Sequence, residues 1–338
     1  MAVLAAIAGV GAPGRSGAED IPFLKSLRHP LIVGAEECAE CHRSEVKAWQ
    51  LTDHFHSRDL HLNDKAGEIA EKMGIGPASR VRTSALCSQC HFTVQKMGDK
   101  PAKAIAGVSC ESCHGGALNW IDIHNTGDRR EPDDTTEDRS RRVAESAAAG
   151  LLGPVEIHKI AENCYRCHLV TDEALVNRGG HPPGSDGFEL VSWLSGEVRH
   201  NFFDSKGGEN RPLSPARRRV LYIVGRALEM EYSLRGLARA TEKAEYGNAM
   251  GRRCVETRKA LDAIADALGA DTPAELREIR DAIGTPGLLK FFNVAPLEAA
   301  ADAIEKQVAL LVANHDGSRL GAVDALIPGE AIGKPHQP

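Results

Sequence analysis

Apolar positions are most regular in the last third of the chain. Leu221, Val224, Leu228 and Tyr232, then Leu261, Ile264 and Leu268, recur at spacings of three and four, the period of a helix with one buried face. Start and stop signals bound four helical segments there. Ser214-Pro215 is an N-cap with a first-turn proline for a long helix to about 246; a second segment, 248–268, ends at Gly269. Thr272-Pro273-Ala274-Glu275 has the form of a capping box with proline at the first helical position, and 296–314 stops before Asp316-Gly317. The pattern predicts a helical bundle over 213–315 and a tail over 316–338. A helical arm for dimerisation would use the same stripes.

Upstream the pattern is broken into shorter pieces. A helix is expected from 44 to about 57, a charged helical stretch before a Gly74-Ile75-Gly76-Pro77 turn, and a helix carrying His158 into Cys164. The charge-rich run over 126–145 reads as a solvated loop. What recurs in this half is chemical: Cys38-Ala-Glu-Cys41-His42, Cys87-Ser-Gln-Cys90-His91, Cys110-Glu-Ser-Cys113-His114 and Cys164-Tyr-Arg-Cys167-His168. Two cysteines three apart can form thioethers to a porphyrin while the next histidine binds its iron, so four covalently attached haem c groups are expected. Zinc knuckles and thiol redox centres also use Cys-x-x-Cys pairs, but neither requires the histidine. With 14 histidines in 338 residues, all four following positions would be His by chance about three times in a million.

Composition fits that reading. Aromatic residues make up 4% of the chain, and macrocycles would supply the missing flat apolar surface. The net charge of -6 and the lack of a long basic block exclude nucleic acid as an expected partner. Eight of nine cysteines belong to the motifs, and Cys254 is expected to be a packed thiol on a helix. An apolar run within 1–18, followed by Ser16-Gly17-Ala18, resembles the end of a secretory signal. Haem c attachment implies a periplasmic or otherwise exported protein, with no membrane span after signal removal. The expected organisation is a signal remnant over 1–18, a multihaem cytochrome c domain over 19–205, and the C-terminal helical bundle. The fold class is mainly α.

A sixth ligand must come from the opposite face of each iron. His54 stands twelve residues past His42, about 18 Å along a helix, and His124 ten past His114, about 15 Å, so each should serve a different haem from its own. His158 is a candidate for a neighbouring haem. Of His181, fixed between Gly180 and Pro182, and His200, one is expected to complete a haem, with His181 preferred. His29, His56 and His61 are weaker candidates, and Met73 and Met97 are read as packing residues. No histidine lies between His61 and His91 or between His91 and His114, which makes the iron on His91 the best candidate for an open site. Gly115 and Gly116 permit close backbone approach, and Trp120 is placed to meet a ring edge.

Three blocks carry a family resemblance. They are Cys38-x-x-Cys41-His42 with Trp49 and His54; Gly107-Val108-x-Cys110-Glu111-Ser112-Cys113-His114-Gly115 with Asn119 and His124; and His158 ahead of Cys164-x-x-Cys167-His168-Leu169. Over about 34–170 the chain resembles the cytochrome c-554 family, tetrahaem cytochromes that accept electrons from hydroxylamine oxidation in ammonia-oxidising bacteria. The resemblance implies a helical, loop-rich domain round closely stacked, mostly bis-histidine haems with one five-coordinate iron. By that analogy His54 ligates the third haem, His124 the first, and the second is open. The His181 loop, the segment around His200 and the bundle lie outside the shared part. The leading expectation is an electron carrier between redox partner proteins, a donor and an acceptor. Two rivals stand beside it: an oxidoreductase acting on nitric oxide, nitrite or hydroxylamine at an open iron, and a subunit of a haem-lined homo-oligomer or filament.

Overall fold

A computed structural model describes residues 31–125, 135–153, 156–185 and 187–338. The expected signal remnant, His29 and the first part of the charged run lie outside them. The described chain is mainly helical. Short helices and turns carry the motifs: α1 (Ala35–Ala39), α2 (Arg43–Trp49), α3 (Asp53–His56), α4 (Asp64–Lys72), α5 (Ala85–His91), α6 (Cys110–His114), α7 (Ile121–His124), α8 (Thr136–Ala148), α9 (Ile157–His168), α10 (Glu173–Asn177) and α11 (Leu190–Ser195). Long helices follow: α12 (Pro215–Arg239), α13 (Glu245–Leu268), α14 (Ala274–Gly284) and α15 (Val294–Asn314). A small antiparallel hairpin, β1 (Thr93–Gln95) with β2 (Lys103–Ala106), links the second and third motifs. Val94 and Ala104 in it join Ala70, Val81 and Phe92 in a small apolar cluster.

Several boundaries differ from expectation, each for a local or tertiary reason. The helix expected over 44–57 is broken after Trp49. Thr52 takes the backbone N–H of Phe55 at 3.2 Å and donates its hydroxyl to Trp49 O at 2.7 Å, so it ends one helix and caps the next. The charged run is not all loop: Thr135 and Asp138 form a capping box that starts α8. The long bundle helix stops at Arg239 rather than near 246, because α10 supplies caps from far away. Glu173 accepts from Thr241 N and from its hydroxyl, and Asn177 Oδ1 accepts from Tyr246 N at 2.9 Å. The box expected at 272–275 is not made. Thr272 donates to Ala265 O and Gly269 O, while Glu275 binds Asn314 and His315 at the far end of α15.

The bundle stripes pack on one another, with Leu221, Val224, Leu228, Leu261, Ile264 and Leu268 in a single core. That core crosses the expected boundary at 205–213. Ile157, Ala161, Tyr165 and Leu169 on and just after α9, the helix of the fourth motif, belong to it, together with Phe188, Leu190 and Val191. Cys254 is fully buried on α13, and burial pushes its thiol up to about 12. The tail is pinned: Leu320 and Val323 enter the core, and Arg219 grips Asp324 through two nitrogens, at 2.8 and 2.6 Å. Among the described residues no helix is long and apolar enough to cross a membrane.

Candidate haem-binding sites

A Cys-x-x-Cys-His segment wound as a helix places its two thiols three apart and its histidine four past the first, all on one face. In the second, third and fourth motifs the histidine is the last residue of α5, α6 and α9, and in the first motif His42 precedes α2. Each motif histidine then faces one other histidine. Ring centroids are 6.2 Å apart for His42 and His124, 6.2 Å for His91 and His181, 6.2 Å for His114 and His200, and 6.0 Å for His168 and His54. Two imidazoles on opposite sides of one metal, with bonds of about 2.0 Å and ring centres about 1.1 Å beyond, have centroids about 6 Å apart.

The partners differ from the sequence reading in four places. His54 faces the fourth motif rather than the third, because the turn at Thr52 redirects α3 and the hydroxyl of Ser57 ties His54 O to His91 O, at 2.7 and 2.9 Å. The second motif, the candidate for an open iron, has His181 across from it, brought in by a loop ninety residues on. His181 and His200 both face a motif, rather than one of them. His158 instead lines a groove with Glu162, Asp302 and Glu305, against the bundle. His56 is exposed, and His61 Nδ1 contacts Arg58 O at 3.2 Å on the surface.

In five of these rings a protein oxygen holds the second nitrogen. His114, His124, His181 and His200 direct Nδ1 at the carbonyls of Leu152, Ile121, Pro182 and Val198, at 2.7 to 2.8 Å. A carbonyl only accepts, so Nδ1 carries the proton and the Nε2 lone pair is left for a metal. His168 Nδ1 lies 2.7 Å from Ser185 Oγ, and its ring stacks on Phe188 at 4.2 Å. Burial first, and the facing histidines second, push His91, His114 and His168 down to about 4, which keeps them in the neutral form that ligates. Glu45 beside His42 pulls that imidazole the other way while occupying its Nδ1 side at 3.7 Å.

These donors suit an iron between two imidazoles better than zinc. Zinc requires several converging thiolates or imidazoles. Among the described residues no group of three or more such side chains converges, and burial holds the Cys113 thiol up at about 11. The buried Nε1–H of Trp120, edge-on to His124 at 5.1 Å, has no acceptor among the described residues and would suit a carboxylate of a bound group.

Polar side chains that carry no motif signature hold the segments in place. Glu111, fully buried between Cys110 and Cys113, accepts the backbone N–H groups of Val33, Gly34 and Ala117 at 2.8 to 2.9 Å, fixing the approach to the first motif onto the third. Asn163 of the fourth motif's helix donates to Cys113 O at 2.9 Å, and Trp49 Nε1 donates to Val108 O at 2.7 Å. Gly107 must be glycine: a Cβ there would stand 2.5 Å from His54 O and 2.6 Å from Ser57 Oγ. The thiols of Cys38 and Cys110 lie within interaction reach of each other, as do those of Cys90 and Cys167, and Cys113 lies within electrostatic reach of Cys164 and Cys167.

Residues 37–115, the first three motifs with their connecting hairpin, match the family described as cytochrome c554 and c-prime. Over that stretch the chain is similar to this family. The chain is also similar to cytochrome c-554 of Nitrosomonas europaea (strain ATCC 19718), with 27% identity over 161 residues, covering 46% of this chain and 61% of the relative. The match therefore spans about three fifths of that relative's length. No solved structure matches. The fourth motif, the facing histidines His124, His181 and His200, and the whole bundle fall outside the family match, so their roles rest on the geometry above.

Proposed function

We propose that this cytochrome is an exported, periplasmic tetrahaem electron carrier passing electrons between a soluble donor and a soluble acceptor. Haem c would be held through Cys38/Cys41, Cys87/Cys90, Cys110/Cys113 and Cys164/Cys167, and the imidazoles of His42/His124, His91/His181, His114/His200 and His168/His54 would bind the irons. The observation that carries the reading is the four histidine pairs at 6.0 to 6.2 Å. Haem c, when bound, supplies an iron that takes up and releases one electron. The chain's part would be to present two imidazoles to each iron, five of them held through Nδ1, so that the ligand set is the same in both oxidation states and little rearrangement accompanies transfer. Each distal histidine comes from a distant segment, so folding and spacing of the sites are one event.

Interaction of Cys38 with Cys110, of Cys113 with Cys164 and Cys167, and of Cys167 with Cys90 supports an order of sites running first, third, fourth, second. Electrons would enter at one end of that series and leave at the other. The pairing of His91 with His181 weighs against an enzyme working at an open second iron. Reductive titration with an exchangeable one-electron donor is the test. Four electrons per chain, returned quantitatively to an oxidant and with no spectral response to nitric oxide in the oxidised protein, are expected; a nitric oxide adduct in the untreated protein would overturn the carrier reading.

A further inference from the structure

His200 sits on an irregular tongue. Between α11 and α12 the described chain forms one regular turn, the 3-10 turn Phe203–Ser205, so the tongue must be held by something other than its own ladder. Two sets of contacts hold it. Asn210, 1% exposed, accepts from Asn201 N at 2.8 Å and donates to Arg199 O at 2.7 Å, bracketing His200 on both sides. Its remaining amide hydrogen goes to His336 O at 2.9 Å. The segment that supplies His336 lies across the base of the tongue. Ile332 donates its N–H to Ser192 O at 3.0 Å and accepts from Glu197 N at 2.9 Å, bridging the end of α11 and the start of the tongue. Gly196 is glycine because a Cβ would collide with the Ile332 carbonyl. Gln337 closes the contact on Asn210 N at 3.4 Å, and the His336 ring lies 6.4 Å from the buried Phe202.

We infer that residues 329–337 are a strap that positions His200 opposite His114, with Asn210 as the positioning residue, so that seating of the strap decides whether the third iron keeps its sixth ligand. This rests on the axial assignment proposed above. The strap is suited to the role by being superficial: residues 329–334 are exposed and outside the bundle core, so they can lift without unfolding it. With the strap seated the site is a closed relay. With it lifted, the tongue loses its bonds to Ile332 and Asn210 loses its anchor on His336 and Gln337, and the iron at His114 would open to a small diatomic ligand such as nitric oxide or carbon monoxide.

The test compares four full-length or near full-length proteins by electron paramagnetic resonance of the oxidised state, with haem content measured on each: the intact chain, Asn210→Ala, a deletion of residues 329–338, and His200→Ala as the positive control. The intact chain is expected to be wholly low-spin. Asn210→Ala and the deletion are expected to keep four haems and to convert one iron in four to high spin, as His200→Ala does, and added imidazole is expected to return it to low spin. A merely destabilised protein would lose haem or spread the change over all sites and would not be rescued. High spin already present in the intact chain would overturn the axial assignment. An intact chain that is all low-spin, with Asn210→Ala and the deletion unchanged while His200→Ala opens one site, would overturn the strap and leave the assignment standing.

Discussion

Glu111 occupies one of the two variable positions of the third motif, where haem attachment places no demand on residue type. Its burial is tolerated because its two oxygens accept three backbone N–H groups, from Val33, Gly34 and Ala117. Replacing one oxygen by an amide nitrogen sets donor against donor. Glu111→Gln is therefore expected to cost about 2 kcal/mol, seen as a lower urea midpoint at unchanged slope; an unchanged midpoint would show that the carboxylate is not the clamp. Legibility at this scale divides cleanly. The motif cysteines and histidines are readable because covalent attachment fixes their spacing within five residues. The far-side histidines are not, since counting along the chain gives only the distance at which a residue cannot act. The Gly180-His181-Pro182 loop was a usable signal, a rigidly held imidazole, but nothing local directs it to His91. Glu111 and Asn210 gave no signal, because their partners are backbone atoms up to 126 residues away.

Elements were legible in proportion to their length. The bundle helices repeat their apolar stripes often enough to be recognised, and the errors fall at ends set by tertiary partners, such as α12 cut short by Glu173 and Asn177. The motif helices are one to three turns long, too short to show a period. Within α12 the stripe also carries a charge that periodicity would not place inside. Glu231 has a side chain 3% exposed, paired with Arg235 at 3.0 Å, and Arg235 also reaches Glu298, Asp302 and Glu305 on α15. Burial outweighs the guanidinium and pushes the Glu231 carboxyl up to about 7. A carboxyl raised above its unfolded value holds its proton more tightly in the native state, so stability is lost as pH rises through the interval between the two values. For Glu231 that loss is about 2–3 kcal/mol between pH 5 and pH 8. Glu231→Gln is expected to remove this slope and to be the more stable protein relative to the parent at pH 8 than at pH 5. Parallel curves for the two proteins in urea denaturation across that range would refute it.

At the scale of the whole molecule, two kinds of interior meet along α9. One face of this helix, with Tyr165 and Ala161, belongs to the side-chain core of the bundle; Asn163 ties it to the third motif, and its last turn carries Cys164, Cys167 and His168. The sequence division into a cytochrome half and a bundle half follows composition, whereas packing joins them at the fourth site. In the first half, polar clamps and histidine pairs stand where an apolar core would otherwise lie, as expected of a chain that folds round bound groups. The claim on which all of this depends is that every motif histidine shares its iron with a second histidine from a remote segment. Near-infrared magnetic circular dichroism of the oxidised protein measures this directly. The account predicts bis-imidazole low-spin haem for all four irons, with an intensity matching four haems per chain. A high-spin ferric signal, or a band from sulfur ligation at any of the four, would contradict it.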